Sequence, residues 1–391
     1  MTTLFPGAID AYSDQVDDVD EVVASLINNV QDAIVAIETA LGVNGANISS
    51  PNRFINPGFQ VWFDGTSFPA AASGQWGPTR WRWSQSGVGV VTMEQSTTLP
   101  TVAQAGVLGL YSVKIDCTTI DATIGATDYY IFQQPMEGIY FLPLAQADFT
   151  ISFWVRSPKT GVHSVAVRNA GFDRSYVGTY TVAAADTWEY HSVTVPASPS
   201  AGTWDYEDGV GLWVSWALAV GVNFQSGTEN VAWETGNYLG ASQVNCLDNV
   251  ANNFYLAFPV ITAGADAQTF KFQDLDQVKR KCLEYREVLG GQDTLEHFAA
   301  GMHRTTTTSE VCLNFYPKRE APTITISTAA DFEVLIPGSS VDCTALSFSS
   351  PGLSTARGQI TVAAGLTAGQ GTILRANGTV NTRVIIDAEV A

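Results

Sequence analysis

The amino-acid sequence predicts a mainly β protein that begins with a helical, self-associating arm. Three observations carry this. From Val16 to Ala40, apolar residues recur alternately three and four positions apart. After Ser49-Ser50-Pro51 the chain changes to alternating, aromatic-rich segments separated by Gly, Pro, Ser and Asp, the pattern of an all-β sandwich. The last hundred or so residues form a series of short strands rich in Thr, Ser, Gly and Ala.

In the arm, Val16, Val19, Val23, Leu26, Val30, Ala33, Ile37 and Ala40 make an unbroken heptad pattern. Ser13 is placed as the N-cap and Gly42 as the stop. Asp14, Asp17, Asp18, Asp20 and Glu21 crowd the first turns, where the helix dipole favours acids. Such a helix is a rod of roughly 40 Å. Val22, Ile27, Ile34 and Leu41 widen the stripe, which favours a parallel homotrimer with its seam along Val16, Val19, Val23, Leu26, Val30, Ala33 and Ile37. The competing reading is a helix packed on its own domain. Leu4, Phe5, Pro6 and Ile9 precede any cap, so residues 1–12 are expected to be an extended docking peptide, and 13–50 the stalk.

A sandwich is expected over 51–271. At its entry, "NRFINPGFQVW" (52–62) places a turn at Pro57-Gly58, short amide side chains at Asn52 and Asn56, and apolar mass at Phe54, Phe59 and Trp62. "DFTISFWVRS" puts Ile151, Phe153 and Val155 on one face and Ser152, Trp154 and Arg156 on the other. Six to nine strands are expected between Phe54 and Phe270. In "FQDLDQVKRKCLEYREVLGG", Leu275, Val278, Cys282, Tyr285 and Leu289 predict a helical neck over 272–291. Asp274 and Gln277 read as its capping box, and Gly290-Gly291 as its end. The strands of 292–391 look too light for a large private core and are expected to finish their burial against copies of themselves.

The 38 acidic residues outnumber the 19 basic ones, which argues against nucleic-acid partners and anionic membrane surfaces. There is no run of eighteen apolar residues and no basic leader, so neither membrane insertion nor a signal peptide is expected. The sequons at Asn47 and Asn377 then read as chance matches. The five cysteines form no C-x-x-C pair and read as small buried apolar residues rather than disulfides or a zinc site.

No H-E-x-x-H, G-x-S-x-G or P-loop pattern is present, so no enzymatic activity and no cofactor are expected. In "WDYED", Asp205, Glu207 and Asp208 alternate with aromatics and allow a polar turn, a calcium site or a carboxylate pair acting on a glycosidic bond. Sugar binding is the more plausible chemistry, because aromatic rings stack on pyranose faces. Among residues near turns or on the off-phase face of strands, including Trp83, Tyr129, Tyr130, Arg168 and Arg174, the ligand candidates are Trp81, Tyr176, Trp204 and Tyr206. Core packing is the competing reading of each.

Taken in order, "NRFINPGFQVWFDGTSF", "TRWRW", "FQQPMEG", "DFTISFWVRS" and "DTWEYHSVTVP" resemble the jelly-roll domain of bacteriophage tail-fibre and related virion appendage proteins. The segment from "NNFYLAFPVITAG" to "REVLGG", and the terminal "ILRANGTVNTRVIIDAEV", are similar to the neck and tip of such fibres. The resemblance implies a jelly-roll β-sandwich in a homotrimeric virion protein assembled in the host cytoplasm. It would dock to other virion proteins through its N-terminus and attach to a host cell-surface glycan or receptor. A capsid head fibre or decoration protein, and a polysaccharide depolymerase, are the alternatives. In a parallel trimer the domain after Gly291 would lead, with Phe298, Phe315, Tyr316, Phe332 and Phe348 as its main aromatics.

Overall fold

The computed structural model describes residues 28–37 and 51–390. Residues 28–37 are helical, as the heptad predicts, and Val30, Ala33, Ile34 and Ile37 are exposed on the single chain. The rest of the seam, Val16, Val19, Val23 and Leu26, and the docking peptide 1–12 lie outside the described residues.

Two facing sheets follow. One runs in the order Ser67–Phe68, Val90–Ser96, Ser112–Thr119, Asn253–Ala263, Phe149–Arg156, Glu189–Val195. The other runs Arg82–Ser86, Tyr129–Glu137, Val210–Val220, Gly161–Asn169, Ser175–Val182. Eleven strands thus replace the six to nine expected, and all pairings are antiparallel. Alternation decides which side chains meet. Phe149, Ile151, Phe153 and Val155 enter the core from one sheet, and Leu212, Val214, Trp216 and Leu218 from the other. Fully burying an aliphatic or aromatic side chain of this size is worth about 1.5–3 kcal/mol. The centre is aromatic: Trp81 stacks on Phe132 at 5.4 Å and touches Phe54, Phe59 and Trp216.

The 52–62 junction forms as its side chains predict. Asn56 sits in the left-handed region at φ 56°, which an Asn tolerates. Its Oδ1 accepts the Gln60 and Val61 N–H groups at 3.0 and 3.1 Å, and its Nδ2 donates to the carbonyls of Val61 and Thr79. Phe54 and Phe59 are buried beneath it.

The neck helix, Leu275–Tyr285, stops before Leu289. Asp274 caps it by accepting the Asp276 N–H at 2.8 Å; the predicted box with Gln277 does not form. Arg286–Leu289 is a strand because Val384–Asp387 pairs with it, alongside Thr323–Ile326. The C-terminus therefore returns to the sandwich instead of lying distal. Val390 packs with Val278, Cys282, Trp213 and Ile55, and the Ala388 N–H donates to the Tyr285 carbonyl at 2.7 Å. Around it Arg80 pairs with Glu389, Arg286 with Asp64 and Asp387, and Arg319 with Glu137.

The expectation of a C-terminal domain without its own core is also corrected. Six strands, His297–His303, Thr308–Asn314, Thr355–Val362, Ser339–Ser349, Phe332–Ile336 and Gly371–Ala376, close into a barrel. It encloses Val311, Leu313, Phe332, Val334, Ile360, Val362 and Leu374. A small closed barrel has a narrow interior, so light residues on alternate positions fill it. Four cysteines are buried as expected, but Cys312 is exposed, one position out of phase with Val311 and Leu313. Among the described residues no helix is long and apolar enough to cross a membrane.

Candidate functional site

The structure separates the four candidate ligand residues. Trp81 is fully buried, and its Nε1 donates to the Ile55 carbonyl at 3.0 Å, so it is a core residue and cannot meet a ligand. Both tryptophans of "TRWRW" turn inward, Trp83 with it. Tyr176, Trp204 and Tyr206 come together at one end of the sandwich. There the loops 169–174 and 201–209 and the turn Gly138–Phe141 all follow or precede strands of the five-stranded sheet.

Their rings form one continuous row. Tyr206 lies nearly parallel to Phe141 at 6.0 Å, and Phe141 to Trp204 at 5.3 Å. Trp204 meets Trp233 edge-on at 5.6 Å, and Trp233 reaches Tyr176 at 6.1 Å. Phe141 is fully buried and Tyr176 nearly so, while Trp204, Tyr206 and Trp233 are half-exposed. Offset and edge-to-face pairs of this kind add about 0.5–1.5 kcal/mol beyond area burial, and they hold the rings in place. The indole N–H groups are already engaged, Trp204 with the Ala201 carbonyl at 3.1 Å and Trp233 with the Pro196 carbonyl at 2.8 Å.

The loops are locked to each other. Asp173 accepts the Thr203 N–H at 3.1 Å and its hydroxyl at 2.8 Å, and Asn169 Nδ2 donates to Asp173 at 2.6 Å and to the Thr203 carbonyl at 2.9 Å. These donors, Asn169 first and then Thr203, hold the Asp173 carboxyl below the usual carboxylate range. Asp205 turns the second loop by accepting the Glu207 N–H at 2.8 Å. The Gly138 and Ile139 N–H groups bond the carbonyls of Gly209 and Glu207. A Cβ on Gly138 would lie 2.5 Å from the Glu207 nitrogen, so only glycine allows this approach. In "WDYED" the Asp205 side chain shapes the turn, and among the described residues no group of three or more His, Cys, Asp and Glu is placed to hold a metal.

The result is a set of preformed, half-exposed rings beside a carboxylate, a threonine and the exposed acids Glu207 and Asp208. Rings of this kind offer stacking faces and edges, and the carboxylates accept hydroxyl hydrogens. Phe141 and Trp233, which complete the row, were not singled out by the sequence. Each lies tens of residues from Trp204 and Tyr206, so no local spacing links them.

No protein-family model matches the chain, and no curated protein matches it. Among solved structures, the enzymatically active domain of tailspike protein 4 of bacteriophage CBA120 is 12% identical over 50% of this chain, with a TM-score of 0.28, and this chain spans 21% of its length. The CBM22-2 xylan-binding domain of Paenibacillus barcinonensis Xyn10C is 15% identical over 50% of this chain and 99% of its own, with a TM-score of 0.26. A family 11 carbohydrate-binding module of Clostridium thermocellum, in complex with a β-1,3-1,4-mixed-linked tetrasaccharide, is 10% identical over 52% of this chain and 100% of its own, at 0.25. With scores this low, the sandwich described above rests on its own strand pairing.

Proposed function

We propose that the protein is a non-enzymatic, homotrimeric component of a bacteriophage virion appendage, and that it attaches to the host surface by binding glycan at the Trp204–Tyr206 surface. The observation that carries the glycan reading is the row of rings from Tyr206 through Phe141, Trp204 and Trp233 to Tyr176, fixed on two hydrogen-bonded loops. Sugars present apolar C–H faces and hydroxyls together, and this surface answers both. The appendage reading rests on the ordered motifs of the sequence. The exposed Val30, Ile34 and Ile37 support self-association through the arm.

Glycan contact is assigned to the sandwich because its half-exposed rings form a row; in the barrel Phe315 and Phe332 are buried, and among the described residues the half-exposed Phe298, Tyr316 and Phe348 form no such row. Weak single sites on a trimer gain apparent affinity by linkage, by orders of magnitude, without new contacts.

The test is binding of the full-length protein to purified host surface polysaccharide, with Trp204→Ala and Tyr206→Ala compared with the parent. Each is expected to weaken binding about tenfold, equivalent to about 1.4 kcal/mol. Unchanged binding in both variants would refute the assignment of recognition to this surface.

A further inference from the structure

The five-stranded sheet carries a second, different surface on its outer face. Ser215 pairs with Gln133 and Gln133 with Arg82, so three polar side chains line up across three strands. Arg168, opposite Trp213, joins them. Its Nη2 donates to Gln133 Oε1 at 2.8 Å and Ser215 Oγ at 3.0 Å, and its Nη1 donates to Asn237 Oδ1 at 2.9 Å. All three acceptors are neutral. Arg168 is 5% exposed, its Nε is buried without a partner, and burial lowers its pKa to about 9, the nearby charge of Arg82 acting in the same direction.

Arg82 is in a similar position. Its guanidinium lies 4.9 Å from the Trp213 ring centre and 5.6 Å from that of Trp76, and its Nε is also buried without a partner. Among the described residues neither arginine forms an ion pair, although this chain holds 38 acids and pairs even its buried Arg80 and Arg319 with carboxylates. The buried Glu389 carboxylate acts on Arg82 from a distance but is paired directly with Arg80, and no carboxylate acts on Arg168, so the two desolvated cations keep an excess positive charge that an anion from outside would offset.

A third observation points outward. Phe172 has φ 52°, a left-handed conformation that a bulky side chain adopts only when its surroundings impose it. Asn169 does so, accepting the N–H groups of Phe172, Asp173 and Arg174. The ring is left 37% exposed, stacked on Trp213 at 5.9 Å and 4.9 Å from the Arg168 guanidinium.

We propose that this face binds the carboxylate of an acidic saccharide, with Arg82 as the contacting cation, Arg168 as the supporting buried charge, and the Trp76 and Phe172 rings flanking the sugar. The saccharide class rests on the proposed glycan function. The loop that presents Phe172 is the one locked by Asp173 to the loop of Trp204, which ties one edge of this face to the ring row. The anion requirement rests on the arginines alone.

The experiment uses the full-length protein at low salt and compares tetragalacturonate with its fully methyl-esterified form, read by calorimetry and by tryptophan fluorescence. The acid form is expected to bind about tenfold tighter. Arg82→Gln, at a half-buried side chain, should bring the two forms to parity, whereas Trp204→Ala should weaken both and leave their ratio intact. Equal binding of acid and ester by the parent, no binding of either at millimolar concentration, or a ratio that survives Arg82→Gln would overturn the proposal. Displacement by sodium acetate as effective per carboxylate would overturn the saccharide class. A preference for the acid that persists while Trp204→Ala changes nothing would sustain this site and count only against the ring row from Tyr206 to Tyr176.

Discussion

Replacing Glu389 by alanine tests whether the returning C-terminus ties barrel to sandwich. The carboxylate is 3% exposed and its partner Arg80 1%, so the pair is out of water on both sides. Removing one member of a buried pair leaves the other charge uncompensated and costs about 3–5 kcal/mol. Arg80 would keep its bond to the Pro135 carbonyl at 2.8 Å and its place 3.7 Å from the Tyr285 ring centre, which supports the lower end of that range. All ten tryptophans lie between Trp62 and Trp233, so indole fluorescence during urea unfolding reports the sandwich and reveals whether a change in the tail reaches it. The expected result is a loss of about 3 kcal/mol for Glu389→Ala. Most of it should be regained in the double variant Arg80→Met, Glu389→Leu, where neither charge remains. A loss below about 1 kcal/mol in the single variant would refute the latch.

Two further outcomes follow from burial and exposure. His163 is fully buried, and its Nε2 is 2.9 Å from the Lys159 carbonyl; burial depresses its pKa from the ordinary 6.5 to about 4. The unfolded chain therefore takes up the proton first, so this contribution is complete above pH 6.5 and is lost as pH falls towards 4. At about 1.36 kcal/mol per pH unit it amounts to roughly 3 kcal/mol. His163→Phe should flatten that slope of denaturant midpoint against pH, and an unchanged slope would contradict the assignment. In the arm, the double variant Leu26→Asp, Val30→Asp should lose the proposed trimer partly or wholly by sedimentation; a fully trimeric variant would show that the helix contributes no needed contact.

What the sequence shows and what it hides divide along the reach of the interactions. Asn56 is legible because its partners Gln60 and Val61 are neighbours, and the Phe149–Arg156 strand because alternation is local. Trp81 misleads because both tryptophans of "TRWRW" face the core while Arg82 lies on the outer face. The string does not tell which phase is inside. The neck helix ends at Tyr285 because Arg286 is drawn into pairing with Asp387, about a hundred residues later, and nothing near Arg286 announces it. The barrel shows the same limit. Thr355–Val362 alternates perfectly between exposed and buried, yet its inward residues look too light for a core until six such strands are known to close. The row of rings was half legible: Trp204 and Tyr206 stand out by composition, but Phe141 and Trp233 join them only through the fold.

Hydrogen exchange of the full-length protein with and without host surface polysaccharide tests the central claim most directly. The glycan reading predicts new protection concentrated in residues 169–174 and 201–209, the loops that Asp173 and Thr203 lock together. Protection confined to the barrel strands between His297 and Ala376, with both loops exchanging as in the free protein, would contradict it.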